Sequence, residues 1–155
     1  MVDADFVHFV GLWELNMRGG CEAVTDAAFV HLRGIRVLNM SRCPQLTDAA
    51  FAHLKGIHTL LMLRCSQPAI TDAALAHLTG IKCLVLFGCR IPFTEVGLAH
   101  LHGITRLHMR GANAASIVAA RDLGLPATTG VSRKWSAFSF SDAASGPWPE
   151  GTEWR

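Results

Sequence analysis

The sequence has no tyrosine, few charged residues (17%) and no apolar run near the ~20 residues that cross a bilayer. Its formal net charge of +2 is too small to indicate nucleic-acid binding by itself. The first five residues carry two acids and no basic run, which is not the pattern of a signal peptide. We therefore expect an intracellular chain without a membrane segment.

Motifs that carry chemistry are also missing. There is no C-x-x-C or H-x-x-x-H pair for zinc, and the odd count of five cysteines argues against a disulfide framework. There is no Walker A string and no G-x-G-x-x-G loop for phosphates, and no motif that sets a nucleophile beside a base. These absences predict a protein that is not an enzyme and that has no metal or cofactor.

What the sequence does contain is an internal repeat. The string TDAAFVHLRGI at 25–35 returns in close copies at 47–57, 71–81 and 94–104, and more weakly at 2–12. A second block follows each copy: LNMSRC, LLMLRC and LVLFGC in the clearest cases, LNMRGG and LHMRGA in the looser ones. A period of 22–24 residues is typical of proteins built from stacked supersecondary units.

Each unit predicts a strand, a turn and a short helix. Leu38 and Met40 alternate with polar residues, as in a strand with one buried face. Thr47 suits a helix N-cap, and Asp48 suits the first turn, where the helix dipole favours a negative charge. Gly56 can adopt the left-handed conformation that ends the helix.

Stacking such units predicts a parallel inner sheet with helices on its other side. Two apolar columns would face the helices, one formed by Leu15, Leu38, Leu60, Leu84 and Leu107, the next by Met17, Met40, Met62, Leu86 and Met109. We expect Cys43, Cys65 and Cys89, which follow the strands, to be buried thiols that bond weakly to the turn backbone.

The best unit has the pattern L-x-x-L-x-L-x-x-C-x-x-L/I-T-D-x-x-L-x-x-L, carried by Ile35, Leu38, Met40, Cys43, Leu46, Thr47, Asp48, Phe51 and Leu54. Over residues 2–113 the chain resembles the cysteine-containing leucine-rich repeats. The resemblance implies an α/β leucine-rich repeat solenoid, a right-handed horseshoe segment of about five repeats. Members of this class are often substrate-binding regions of F-box proteins in ubiquitin ligases, and others are stand-alone interaction domains. The 155 residues leave no room for the ~40-residue F-box that the resemblance would add.

A solenoid binds its partner through the outward positions of the strands, because packing determines the inward ones. In this sequence those positions hold seven of the 14 Lys and Arg residues but only Glu14 of the 12 acids, around an apolar middle. We predict a concave protein-binding face for an acidic or amphipathic partner. Its residues are Arg18, Arg36, Arg42, Leu61, Leu63, Arg64, Lys82, Val85, Phe87, Arg106, His108 and Arg110.

Several alternatives stay open at this point. The arginines could be a solvated surface, with the apolar residues packed against the chain's own tail. Nucleic-acid binding ranks lower, because Phe87 and Trp13 are the only aromatic residues interleaved with the basic residues of this face. The in-register histidines suggest a metal ladder, but simple inheritance with the repeat also explains them; they are His8, His31, His53, His77 and His100.

The ends divide the chain into a repeat domain at 1–126 and a carboxyl-terminal cap with a loose tail at 127–155. A last helix is predicted at 114–123, followed by a cap in which Trp135, Phe138 and Phe140 add a strand. The first repeat begins at Val2 without a polar cap, so end-to-end contact through it is a further alternative. In that alternative the chain is a structural or assembly subunit of a larger particle.

Overall fold

The computed structural model describes residues 1–17 and 21–129. Over these residues the protein is an α/β structure with an open, six-stranded sheet whose strands are all parallel and follow chain order. The strands are β1 (Glu14–Asn16), β2 (Val37–Asn39), β3 (Thr59–Leu63), β4 (Cys83–Phe87), β5 (Arg106–His108) and β6 (Ala127–Thr128).

The register of the sheet follows the sequence repeat. Leu38 of β2 is paired with Leu60 of β3, and Leu60 with Leu84 of β4. Each strand therefore presents the same repeat position to its neighbour. Side chains alternate between two faces of a strand, so equivalent positions form columns on each face of the sheet.

Short helices lie between the strands. The segments Asp3–Phe9 and Asp26–Leu32 are 3₁₀ helices, and Ala99–Leu101 is a third 3₁₀ turn. The α-helices are α1 (Asp48–Phe51), α2 (Asp72–Ala76), α3 (Glu95–Leu98) and α4 (Ala114–Asp122).

The 3₁₀ geometry of the first two helices was not predicted, although the apolar spacing is compatible with it. Phe29 and Leu32 are both buried and lie three residues apart. A 3₁₀ helix has three residues per turn, so it places these two side chains on one line facing the sheet.

The predicted helix ends are confirmed. The hydroxyls of Thr25, Thr47, Thr71 and Thr94 each accept a hydrogen bond from the amide two residues later. After each helical segment the chain turns at a glycine with positive φ, which is 83° at Gly56. L-residues other than glycine rarely adopt that conformation, so these glycines define where each helix gives way to the next strand.

The core lies between the sheet and the helices. Both predicted columns are buried there, with the single exception of Leu15 on the edge strand β1, which is only partly buried. Phe6, Phe29 and Phe51 fill the helix side and are 0% exposed. Each repeat unit therefore buries its apolar face by stacking on the neighbouring units.

All five cysteines are buried free thiols, and four of them, Cys21, Cys43, Cys65 and Cys89, lie in this core. The Sγ of Cys21 lies 2.7 Å from the carbonyl oxygen of Met17, and that of Cys89 lies 2.9 Å from the carbonyl oxygen of Met62. Cys43 and Cys65 make longer contacts of the same kind. Burial raises the pKa of the Cys43 thiol. The expectation of structural thiols bonded to turn backbone is confirmed.

At the carboxyl end, α4 ends where predicted, and Gly124 follows it with a φ of 68°. Residues 127–128, assigned from the sequence to the cap, continue the sheet as β6, paired with Leu107 and His108 of β5. The predicted cap strand at Trp135, Phe138 and Phe140 lies outside the described residues. Within the described ranges, no helix is long and apolar enough to cross a membrane.

Candidate functional site

The predicted site residues fall mainly on the face of the sheet directed away from the helices, called here the far face. Its columns follow from the register. One column runs Glu14, Val37, Thr59, Cys83 and Arg106, and the next runs Asn16, Asn39, Leu61, Val85 and His108.

The middle of the far face is apolar, as predicted. Leu61, Cys83 and Val85 form a cluster separate from the main core, and Leu63 and Phe87 pack against it. The expectation that these side chains are all exposed was wrong. Leu61 and Val85 are only 4% and 2% exposed, whereas Leu63 and Phe87 are half-buried. Side chains on neighbouring parallel strands stand about 4.8 Å apart, so they cover one another's sides.

Basic side chains gather at one end of the far face. Arg106 and His108 lie on β5, and both are half-buried. The guanidinium of Arg110, just beyond β5, lies 5.4 Å from the centre of the Phe87 ring. This cation–π contact holds an exposed cation beside the apolar cluster.

Further cations line the amino ends of the strands. Arg36 and Lys82 precede β2 and β4 and are exposed. The Arg36 side chain donates a 2.8 Å hydrogen bond to the carbonyl of Gly56 and lies 5.8 Å from the centre of the Trp13 ring. Two contacts therefore fix the direction of Arg36, whereas no partner is described for Lys82 within residues 1–17 and 21–129.

Arg42 and Arg64 lie at the carboxyl ends of β2 and β3, but not in the column of Arg110. Arg110 lies three residues after the core leucine of its unit, Leu107. Arg42 and Arg64 each lie four residues after the core leucine of their units, in the turn. Both have left-handed backbone conformations, with φ of 59° and 58°. The equivalent residues of the next two units are Gly88 and Gly111, with φ of 66° and 67°. The position thus favours glycine, and two units have arginine instead.

The remaining predicted residue, Arg18, lies outside the described residues. Of the other eleven, the structure brings Leu61, Leu63, Val85, Phe87, Arg106, His108 and Arg110 together on the far face. Arg36 and Lys82 lie at one edge, and Arg42 and Arg64 at the other.

The local environment shifts the pKa of three titratable groups on this face. Burial raises the pKa of Glu14 above its usual range. Burial also raises the pKa of Cys83 to about 11, although the Arg106 charge opposes the shift. Burial and the same arginine lower the pKa of His108, whose Nδ1 lies 2.6 Å from the hydroxyl of Thr128. At neutral pH the thiol of Cys83 is therefore protonated, and it is a poor nucleophile.

A polar network on the far face was missed from the sequence. The side-chain oxygen of Asn39 accepts hydrogen bonds from the Ser41 amide, at 3.1 Å, and from the Ser41 hydroxyl. The Ser41 oxygen in turn accepts from the amide of Leu63, also at 3.1 Å. Both side chains are buried, so the network satisfies groups that would otherwise destabilise this part of the sheet.

A second missed feature is a ladder of hydrogen bonds on the helix side, called here the Asp–Thr ladder. Each aspartate in a first helical turn accepts two hydrogen bonds from the threonine of the next unit, one from its amide and one from its hydroxyl. For Asp48 and Thr71 these distances are 2.7 and 2.6 Å. The other pairs are Asp3 with Thr25, Asp26 with Thr47, and Asp72 with Thr94.

The Asp–Thr ladder gives the recurring Thr-Asp dipeptide two roles. The threonine caps its own helix and donates to the preceding unit, while the aspartate binds the following unit. The signal in the sequence was that a threonine follows each of these aspartates by 21–23 residues. We predicted only the local capping and dipole effects.

The in-register histidines form no described metal site. Among residues 1–17 and 21–129, no group of three or more His, Cys, Asp or Glu side chains could hold a metal ion. His8 and His100 are exposed, and the intervening three are half-buried. The Nδ1 of His53 lies 3.4 Å from the Nε of Arg33, so this histidine contacts a cation of the preceding unit.

The chain matches no protein-family model, and no curated protein is significantly similar to it.

Proposed function

We propose that the chain is a leucine-rich repeat solenoid that serves as a non-enzymatic protein-interaction module, with the far face as its binding surface. One observation carries the proposal. Exposed cations border an apolar cluster on a surface whose strand positions hold a single described acid, the half-buried Glu14. Apolar residues bordered by polar and cationic groups are typical of protein interfaces.

The burial pattern narrows which residues a partner contacts. Leu61 and Val85 offer almost no surface, so they support the cluster rather than touch the partner. Leu63 and Phe87 remain accessible, and Arg110 lies against the Phe87 ring. Partly buried aromatics and arginines commonly dominate binding energy at interfaces. These three residues form the proposed contact centre.

The charge balance of the far face supports a partner of opposite charge. Arg36, Lys82, Arg106 and Arg110 all lie on or beside the far face, and an acidic or amphipathic protein surface complements them. The resemblance to repeats of F-box proteins makes substrate recognition for ubiquitin transfer the favoured setting, with the ligase subunits supplied by other chains.

The test compares three forms of the full chain in affinity purification followed by mass spectrometry. The double variant Leu63→Ser/Phe87→Ser should lose the acidic partner, whereas Val96→Ser, at a residue 73% exposed on α3, should retain it. Circular dichroism checks that each variant is folded. Equal recovery of the partner by wild type and the double variant would reject the far face as the binding surface.

An assembly role is the second candidate, and a specific surface favours it. Among the residues that the structure describes, six of the ten exposed large apolar side chains lie in the first unit: Met1, Val2, Val7, Val10, Leu12 and Trp13. Exposed apolar patches on proteins commonly mark contact sites. In this case purification would yield a stoichiometric particle instead of ligase subunits, and Val7→Ser/Val10→Ser would release the chain from it.

A further inference from the structure

The turns after β2 and β3 enclose a groove of about 500 Å³ that is distinct from the apolar cluster. It is lined by Glu22, Arg42, Cys43, Pro44, Arg64, Ser66, Gln67 and Pro68. The turn after β3 is two residues longer than the turn after β2, because Thr71 follows Leu60 by eleven residues and Thr47 follows Leu38 by nine. The longer turn contains Ser66, Gln67 and Pro68, which form one wall.

The arginines of this groove are not explained by the fold. Their left-handed backbone is strained for any residue with a Cβ, and the equivalent positions in the next two units are glycines. They lie at equivalent positions in the turns after two adjacent strands, and both line the same groove, so their like charges repel. Among the described residues, neither guanidinium has an ion-pair or hydrogen-bond partner. The Cγ of Arg64 lies beside Gly88, so packing accounts for part of that side chain but for neither guanidinium. Strained residues are common at binding sites.

Gln67 supplies an independent feature. Its side chain is 8% exposed, and its amide nitrogen donates to the carbonyl of Cys43 in the opposite wall. Its Oε1 is buried and has no hydrogen-bond partner. Buried acceptors without partners are rare in native proteins, so the groove wall lacks one donor.

We propose that this groove binds a phosphorylated side chain of a peptide, with Arg42 and Arg64 holding the phosphate and the Gln67 side chain turning so that its buried Oε1 can accept a peptide N–H. A phosphate monoester carries nearly two negative charges at neutral pH, which matches two arginines. A carboxylate carries only one charge and matches the two arginines less well. The Glu22 carboxylate in the groove repels either anion, so the attraction of both arginines has to outweigh it. Arginine forks pair with phosphate oxygens in two parallel hydrogen bonds.

This inference rests on the proposed function only in assuming a protein partner. It adds that the partner is bound through a phosphoserine or phosphothreonine at the carboxyl edge of the sheet. The far-face cluster and the groove then act at separate positions on the same module.

The experiment uses fluorescence anisotropy with a phosphoserine peptide library of degenerate flanking sequence, and its serine counterpart as the matched ligand. Wild-type protein should bind the phosphorylated library at least tenfold more tightly at low salt. Arg42→Gly and Arg64→Gly should each remove tenfold or more of that affinity. Because glycine suits the left-handed conformation, both variants should fold with thermal midpoints at or above that of wild type.

Two controls separate this site from the proposed function. Arg121→Ala removes an exposed cation on α4 and should leave phosphopeptide affinity unchanged. Leu63→Ser/Phe87→Ser should also leave it unchanged, although the same variant tests the far face. Equal binding of the two libraries, unchanged affinity in the Arg42→Gly/Arg64→Gly variant, or binding of inorganic phosphate as tight as the library, would each overturn the proposal.

Discussion

Replacing Asp48 by alanine tests whether the Asp–Thr ladder stabilises the stack of units. The carboxylate of Asp48 binds the amide and the hydroxyl of Thr71, which itself caps α2 by accepting from Ala73 at 3.3 Å. Buried hydrogen bonds to a charged group contribute roughly 1.5–3 kcal/mol each. These two lie near solvent, so we expect about 1 kcal/mol each, or about 2 kcal/mol in all.

Glu95 provides a matched control. It occupies the same position in the first turn of α3, but the N-cap of α4, the helix of the next unit, is Asn113 instead of a threonine. Glu95→Ala removes only the favourable interaction with the helix dipole, about 0.3–1 kcal/mol. The difference between the two variants therefore isolates the contact between units.

The measurements are thermal and urea unfolding followed by circular dichroism, with the urea m-value monitored for changes in cooperativity. Asp48→Ala should lower the thermal midpoint by roughly 4–8 °C, given 2–4 °C per kcal/mol for a chain of this size. A double-mutant cycle with Thr71→Val should show that the two losses are not additive. If Asp48→Ala and Glu95→Ala destabilise the protein equally, the ladder contributes nothing to stability.

Three further predictions follow from buried groups. Leu84→Ala removes a side chain that is 0% exposed and should lower the free energy of unfolding by roughly 2–5 kcal/mol; a loss below 1 kcal/mol would mean that the core column is not tightly packed. Gly97→Ala should lower the midpoint of thermal unfolding, because the new Cβ would overlap the Asp72 carboxylate. This effect should exceed the roughly 1 kcal/mol by which alanine stabilises a helix relative to glycine. A raised midpoint would contradict this prediction. The lowered pKa of His108 means that the unfolded chain binds its proton more readily, so stability should fall as the pH drops from 7.5 through 6.5 to 5.5. His108→Gln should reduce this pH dependence of stability, and an unchanged pH dependence would refute the assignment to His108.

The repeat predicted much of the fold because packing dictates its pattern. The register of Leu38, Leu60 and Leu84 follows from their equivalent places in the units, and Thr47 and Gly56 mark the helix ends as expected. The 3₁₀ geometry near Phe29 was not predicted, because a spacing of three residues is compatible with both helix types in so short a segment.

The site was predicted less completely than the fold. Alternation correctly placed Leu61 and Val85 on the far face, but it does not report how closely neighbouring strands cover them. Arg42, Arg64 and Arg110 were grouped together because each closely follows a predicted strand. In the structure, Arg42 and Arg64 lie in the turn, one position beyond the column that contains Arg110. Contacts between units, such as Asp48 with Thr71, depend on how adjacent helices align, which one unit alone does not specify.

The carboxylate that joins each unit to the next has a consequence for how such a protein can change in length. The four joints between Asp3 and Thr94 use the same two side chains, so an in-frame deletion or tandem duplication running from one of these aspartates to the next leaves a correct donor and acceptor across the new junction. For example, removal of residues 49–72 would place Asp48 where Asp72 now meets Thr94. The molecule is thus built so that whole segments of the gene can be gained or lost without breaking its internal connections.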